Sequence, residues 1–133
     1  MSVTPLLFAT PRWASLLAFL YLWLAAQVIR ARYRTRTALG SGGDAGLERA
    51  IRAHANFAEY VPLILVLLVM AELQGAASWL LHLCGAALLV GRALHGFGIS
   101  RTDEVLALRS SGMALTLTVL ASAALLNLAL LAR

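Results

Sequence analysis

The residues with the greatest chemical capacity in this chain lie together on its second apolar segment. Arg49, Arg52, Asn56, Glu59 and Tyr60 fall within an arc of roughly 100° on a helix, taking ~100° per residue. Such a stripe brings together guanidinium donors, an amide, a carboxylate and a phenol, the groups that recognise an anionic or zwitterionic molecule. His54 points away from the stripe and reads as an interfacial residue facing headgroups or a neighbouring helix. The other polar residues close to apolar segments are Arg30 after the first, Arg92 and His95 towards the end of the third, and Arg109 at the start of the fourth.

The elements that must position these residues are transmembrane helices. The chain has 133 residues, of which 61% are hydrophobic, and a mean hydropathy of +0.82. That is too apolar for a soluble domain. Four segments stand out, at about 6–29, 45–73, 76–98 and 105–132, and the reading is an all-α membrane protein, a single four-helix transmembrane bundle. The first segment is a retained span rather than a cleaved leader, because its basic residues follow the apolar run instead of preceding it. The stretch from Ala38 to Gly43 is a glycine-rich loop, and Asp44 can cap a helix starting near Ala45. The purely apolar part of the second segment, Val61 to Ala71, is far shorter than the ~20 residues a span requires. The helix must therefore borrow from the polar stretch before it, which draws Asn56 and Glu59 towards the membrane.

Charge sets the orientation. Eleven arginines against six acids give a net charge of +5, and the arginines border apolar segments instead of forming a nucleic-acid-binding patch. Arg30, Arg32, Arg34, Arg36, Arg49 and Arg52 surround the first loop, Arg101 and Arg109 the third, and none lies in the second. Both termini are therefore expected to be extracytoplasmic, with the Arg30 to Arg36 cluster anchoring on anionic membrane lipids. Cys84 is the only cysteine, so no intramolecular disulfide forms and the thiol reads as an inert mid-span residue. No metal-ligand set is expected. Gly85, Gly91, Gly96 and Gly98 read as points of close helix contact, and Trp13, Trp23 and Trp79 as interface or packing aromatics.

With this topology all four helices deliver polar groups at one level. Two readings fit. In the first, Glu59 neutralises Arg52 or Arg92 in an internal network that locks the helices together. In the second, Arg30, Arg49, Arg52, Arg92 and Arg109 converge against only Glu48 and Glu59, and an anionic or zwitterionic ligand completes the site.

The stretch from Glu48 to Pro62 has the pattern E-R-x-x-R-A-x-x-N-x-x-E-Y-x-P. It resembles the signature of the MAPEG family, the membrane-associated proteins of eicosanoid and glutathione metabolism. Arg92 to His95, and Arg109 with Ser110, are similar to the corresponding stretches of that family's enzymes. The Ala38 to Gly43 loop is similar to that of its small bacterial members. The resemblance covers essentially the whole chain. It implies a homotrimer in a bacterial inner membrane, with glutathione as co-substrate held between subunits near the cytoplasmic face. A lipophilic electrophile would enter from the bilayer, and the activity would be that of a glutathione transferase or peroxidase.

Carried over residue by residue, the resemblance assigns Arg52, Asn56, Glu59 and Tyr60 to glutathione binding, with Arg30, His95, Arg49 and Arg92 as further contacts. It assigns Arg109 to the thiol, where a cation lowers the thiol pKa and raises the thiolate fraction. One position departs from the pattern: Ile99 stands where several family enzymes carry a tyrosine. That removes a contact to glutathione and leaves a non-catalytic binding protein of the same fold as the alternative. A small four-helix multidrug exporter is the other alternative, but such exporters centre on a membrane-embedded acid in the first helix, and this first helix has none.

Overall fold

A computed structural model of the chain describes residues 7–100 and 105–132. Four helices account for nearly all of these: α1 (Ala9–Thr35), α2 (Ala45–Leu73), α3 (Ser78–Ser100) and α4 (Leu106–Leu131). Each is long and apolar enough to cross a membrane. The protein is thus an all-α membrane protein with four spanning helices. The expected start of the first helix at Leu6, and Arg101 in the third loop, lie outside the described residues.

Local chemistry explains most of the helix limits. The Asp44 carboxylate accepts a hydrogen bond from the Leu47 amide at 2.7 Å, so α2 opens at Ala45 with one of its orphan donors satisfied. The same oxygen takes Arg34 Nη2 at 3.2 Å and ties the loop back to α1. In contrast, α1 continues past the expected end at Ile29 to Thr35. Hydropathy marks where a helix leaves lipid, and arginine is a good helix former that continues it into the headgroup layer. The helix ends only where Arg36 turns into the left-handed region at φ 53°.

Cross-helix contacts give the topology. Glu72, at the end of α2, meets the first residues of α1, and Trp13, near the start of α1, meets His82, near the start of α3. His95, late in α3, meets Arg109, early in α4. The bundle therefore runs up and down. Helices α2 and α3 each touch the three others, while α1 and α4 flank them without contact among the described residues.

Between helices in lipid there is little hydrophobic drive, so close backbone approach carries much of the association. The tightest crossing is α3 on α4. A Cβ on Gly112 would lie 2.5 Å from both the Gly91 carbonyl oxygen and the His95 amide nitrogen, and one on Gly98 would lie 2.8 Å from the Arg109 amide nitrogen. Gly85 is occupied differently: the Trp13 ring fills the space where its Cβ would stand. Packing of Leu17, Leu24, Phe57, Ile64, Leu68 and Leu88, all buried, fills the centre. His54 faces a neighbouring helix, stacked on Tyr21 at 4.5 Å with the ring planes 13° apart.

Candidate functional site

The end of the bundle where α1 and α3 finish and α2 and α4 begin holds a cavity of about 530 Å³. That lies within the ~300–1,000 Å³ usual for small-molecule sites. Three helices build it. From α2 come Glu48, Arg49, Arg52 and Asn56, one face of the first turns after the Asp44 cap. From α3 come His95 and Ile99, and from α4 Leu106, Arg109, Ser110 and Met113. The glycine crossing at Gly98 and Gly112 sets how close the α3 and α4 walls stand.

Arg92 lies behind this wall. It is fully buried and does not line the cavity. Its Nη2 donates to Asn56 Oδ1 at 2.8 Å, and its Nη1 reaches Thr116 Oγ1 at 3.5 Å. Both of these hydrogen-bond partners are neutral, and Nε has no hydrogen-bond partner among the described residues. Because the Asn56 oxygen is committed to Arg92, its amide nitrogen is left to donate towards a ligand. His95 is also buried. Its Nδ1 lies 3.1 Å from the Arg109 carbonyl oxygen, which can only accept, so Nδ1 carries the hydrogen. In the neutral ring Nε2 is then a bare acceptor, buried and without a partner among the described residues.

The residues singled out from sequence are thus divided. Arg49, Arg52, Asn56, His95 and Arg109 are brought together around one cavity, with Arg92 buried directly behind Asn56. Glu59 is exposed in one copy of the chain, Tyr60 is half-buried against the core, and Arg30 is exposed and donates to Gln27 Oε1 at 3.3 Å. None of these three lines the cavity within one copy of the chain. Of the internal network weighed from sequence, Glu59 attracts the Arg92 charge without a contact ion pair among the described residues, and the hydrogen-bond partners of Arg92 are Asn56 and Thr116. Ile99 and Ser110 were marked in sequence only by the family resemblance, and two further wall residues, Leu106 and Met113, carry no sequence signal. Only their positions one helical turn before and after Arg109 could have pointed to them.

The chemistry available is recognition of negative charge beside an apolar wall. Three guanidinium groups and one carboxylate line the cavity, with the buried Arg92 charge behind, and Ile99, Leu106 and Met113 offer a surface for an apolar second molecule.

The family model described as "MAPEG family" matches residues 10–129. Two relatives named "Inner membrane protein YecN", from Escherichia coli (strain K12) and Escherichia coli O6:H1, are each 39% identical over 116 residues. Those matches cover 87% of this chain and 87% of each relative.

Proposed function

This chain belongs to the MAPEG family, and from that premise we propose that it is a membrane-bound glutathione-dependent transferase or peroxidase acting on lipophilic electrophiles. One observation carries the reading: Arg92, with no exposed surface, hydrogen-bonded only to neutral groups and attracted by Glu59 from beyond ion-pair distance, stands behind a cavity lined by three more arginines and a single carboxylate. A charge buried in this way is costly unless something of opposite sign answers it. Glutathione supplies two carboxylates, an ammonium and two peptide groups.

In this reading Arg49 and Arg52 hold carboxylates, the Asn56 amide donates to a carbonyl or carboxylate, and Glu48 faces the ammonium. Arg92 acts as a positioning residue by fixing which way the Asn56 amide is turned. His95 Nε2 accepts an N–H or S–H. Arg109 stabilises the thiolate left when the S–H proton passes to solvent; its sulfur bonds to an electrophilic carbon that approaches along the Ile99 and Met113 side, and the bond from that carbon to its leaving group breaks, the group departing with the electron pair.

Glu59 and Tyr60 support assembly of several copies. Glu59 lies about 20 Å along α2 from its start, at ~1.5 Å per residue, and is exposed. A carboxylate facing hydrocarbon at that depth is costly, so a second copy of the chain covers it, and the tripeptide is shared between subunits of a homotrimer that Glu59, Tyr60 and Arg30 help to complete. The arginine distribution and the relatives' name support an inner membrane with the cavity on the cytoplasmic side. A periplasm-dependent reporter fused after Arg133 tests this; activity only from a cytoplasmic reporter there would reverse the orientation.

Ile99 favours one second reading. Its side chain is part of the cavity wall and offers no hydrogen bond to a thiol, which fits a binder that does not catalyse. Calorimetric titration of the detergent-purified protein with glutathione, and with an analogue lacking the thiol, tests the site; both should bind, and failure of both would end the proposal. Bound glutathione with its thiol pKa at the solution value, and no conjugation or peroxide reduction, would establish the second reading.

A further inference from the structure

We propose that a second groove, at the end of α1, is a binding site for the headgroup of an anionic phospholipid bearing one phosphodiester. The groove has a volume of about 410 Å³ and shares no residue with the arginine-lined cavity. Its apolar side is Ile29, Tyr33 and Ala38, and its basic side Arg32 and Arg36. Depth is the first argument. The 27 residues of α1 span ~40 Å, against a hydrocarbon core of ~30 Å, so its last turns stand at headgroup level. Tyr33, 82% exposed, is the amphipathic aromatic expected at that level.

The groove is also built rather than incidental. Arg32 Nη1 donates to the carbonyl oxygens of Thr37, Ala38 and Gly40 at 3.1–3.2 Å, which folds the loop back and fixes Ala38 as one wall. The second argument is backbone conformation. Among the described residues, every other position with positive φ is a glycine: Gly40, Gly42, Gly43 and Gly75. Arg36 is the exception, at φ 53°, where helix ends commonly carry glycine. A side chain kept in the left-handed region, against the conformational preference of an L-residue, points to a use for that side chain. The negative end of the helix dipole would repel a phosphate here, so the arginines must supply the attraction. A lipid rather than free phosphate is the occupant because the opposite wall is apolar, matching a glycerol backbone and the start of its acyl chains.

Native mass spectrometry of the full-length protein in mild detergent tests this, with phosphatidylglycerol, phosphatidylcholine and inorganic phosphate as probes. Wild type should retain phosphatidylglycerol in preference to phosphatidylcholine, and millimolar inorganic phosphate should not displace it. Arg36→Gly should weaken phosphatidylglycerol binding roughly tenfold, the size of one charge-assisted hydrogen bond, while leaving the melting temperature in lipid-free detergent unchanged or higher. Arg34→Gln removes the same charge from a residue that pairs with Asp44 and should change binding less than twofold. Equal losses in the two variants would mean diffuse charge attraction and would overturn the proposal. So would equal binding of the two lipids, displacement by inorganic phosphate, or an Arg36→Gly protein that melts lower because the arginine was serving the helix end.

Discussion

Glu72 and Arg52 are charged residues near opposite ends of the same helix, and the bundle treats them in opposite ways. The Glu72 carboxylate accepts hydrogen bonds from the amides of Phe8, Ala9 and Thr10 at 2.6–2.8 Å, which satisfies the start of α1. Around it several other polar groups of that end also answer one another. Gln74 Nε2 donates to Asn127 Oδ1 at 2.7 Å, Asn127 Nδ2 donates to the Leu67 and Ala123 carbonyl oxygens, and Trp13 Nε1 donates to His82 Nδ1 at 3.0 Å. Arg52 instead lines a cavity with Arg49 and Arg109. One end is closed by hydrogen bonds between helices, while the other keeps three arginines around an open cavity, the end at which we propose that a ligand binds. Polarity near a membrane surface is therefore no guide to function until the partners are known.

The comparison can be broken most severely at the crossing both ends depend on. Gly112→Val would drive its side chain into the Gly91 carbonyl and the His95 backbone. It should cost on the order of 3 kcal/mol and lose glutathione binding as well, read as a lower melting temperature in detergent together with an absent calorimetric signal. A Gly112→Val protein that melts and binds normally would show that the helices do not pack this closely.

Next in size is a split between function and stability at the open end. Arg52→Ala should weaken glutathione binding by ~1.5–3 kcal/mol, the range for hydrogen bonds to charged groups, with no change in melting temperature. Arg109→Ala should instead lower turnover more than affinity and raise the pKa of the bound thiol, followed by thiolate absorbance against pH. Identical effects of the two substitutions would remove Arg109 from its separate role.

The closed end should give the mirror image. Glu72→Ala removes the cap of α1 and should destabilise the protein by ~1–2 kcal/mol while leaving glutathione affinity intact. Smallest of all, Asn127→Leu removes the link to Gln74 and the Leu67 carbonyl and should cost about 1 kcal/mol, near the value of one neutral hydrogen bond. Loss of glutathione binding in either variant, with the fold retained, would mean that the two ends are coupled.

Much of the architecture was readable from sequence because lipid imposes strict rules on length and polarity. The four spans, the Asp44 cap and the glycine contacts follow from those rules. So does the meeting of Arg49, Arg52, Asn56, His95 and Arg109 at one depth. What periodicity could not resolve is which edge of a polar stripe turns inward. Arg52 and Glu59 share an arc, yet one lines the cavity and the other, also exposed in one copy of the chain, does not. The burial of Arg92 was equally hidden, since a lone arginine in an apolar run reads the same whether it lines a site or supports one. The closed end carries no signal in sequence for another reason: Glu72, Gln74 and Asn127 are ordinary residues for the edge of a span, and only polar groups at matching heights on different helices reveal the pairing.

Pro62, inside α2, cannot donate to the carbonyl of Ala58, so the helix lacks a rung between the segment bearing Arg49, Arg52 and Asn56 and the segment gripped by Asn127. Bending at that rung costs less than elsewhere along the helix. A bend there would shift the segment that Arg92 holds at Asn56 against the segment that Asn127 holds at Leu67, a motion by which the proposed ligand would exchange without the bundle coming apart. In hydrogen-exchange terms, amides before Pro62 should open by local fluctuation, and those after it only with the whole bundle.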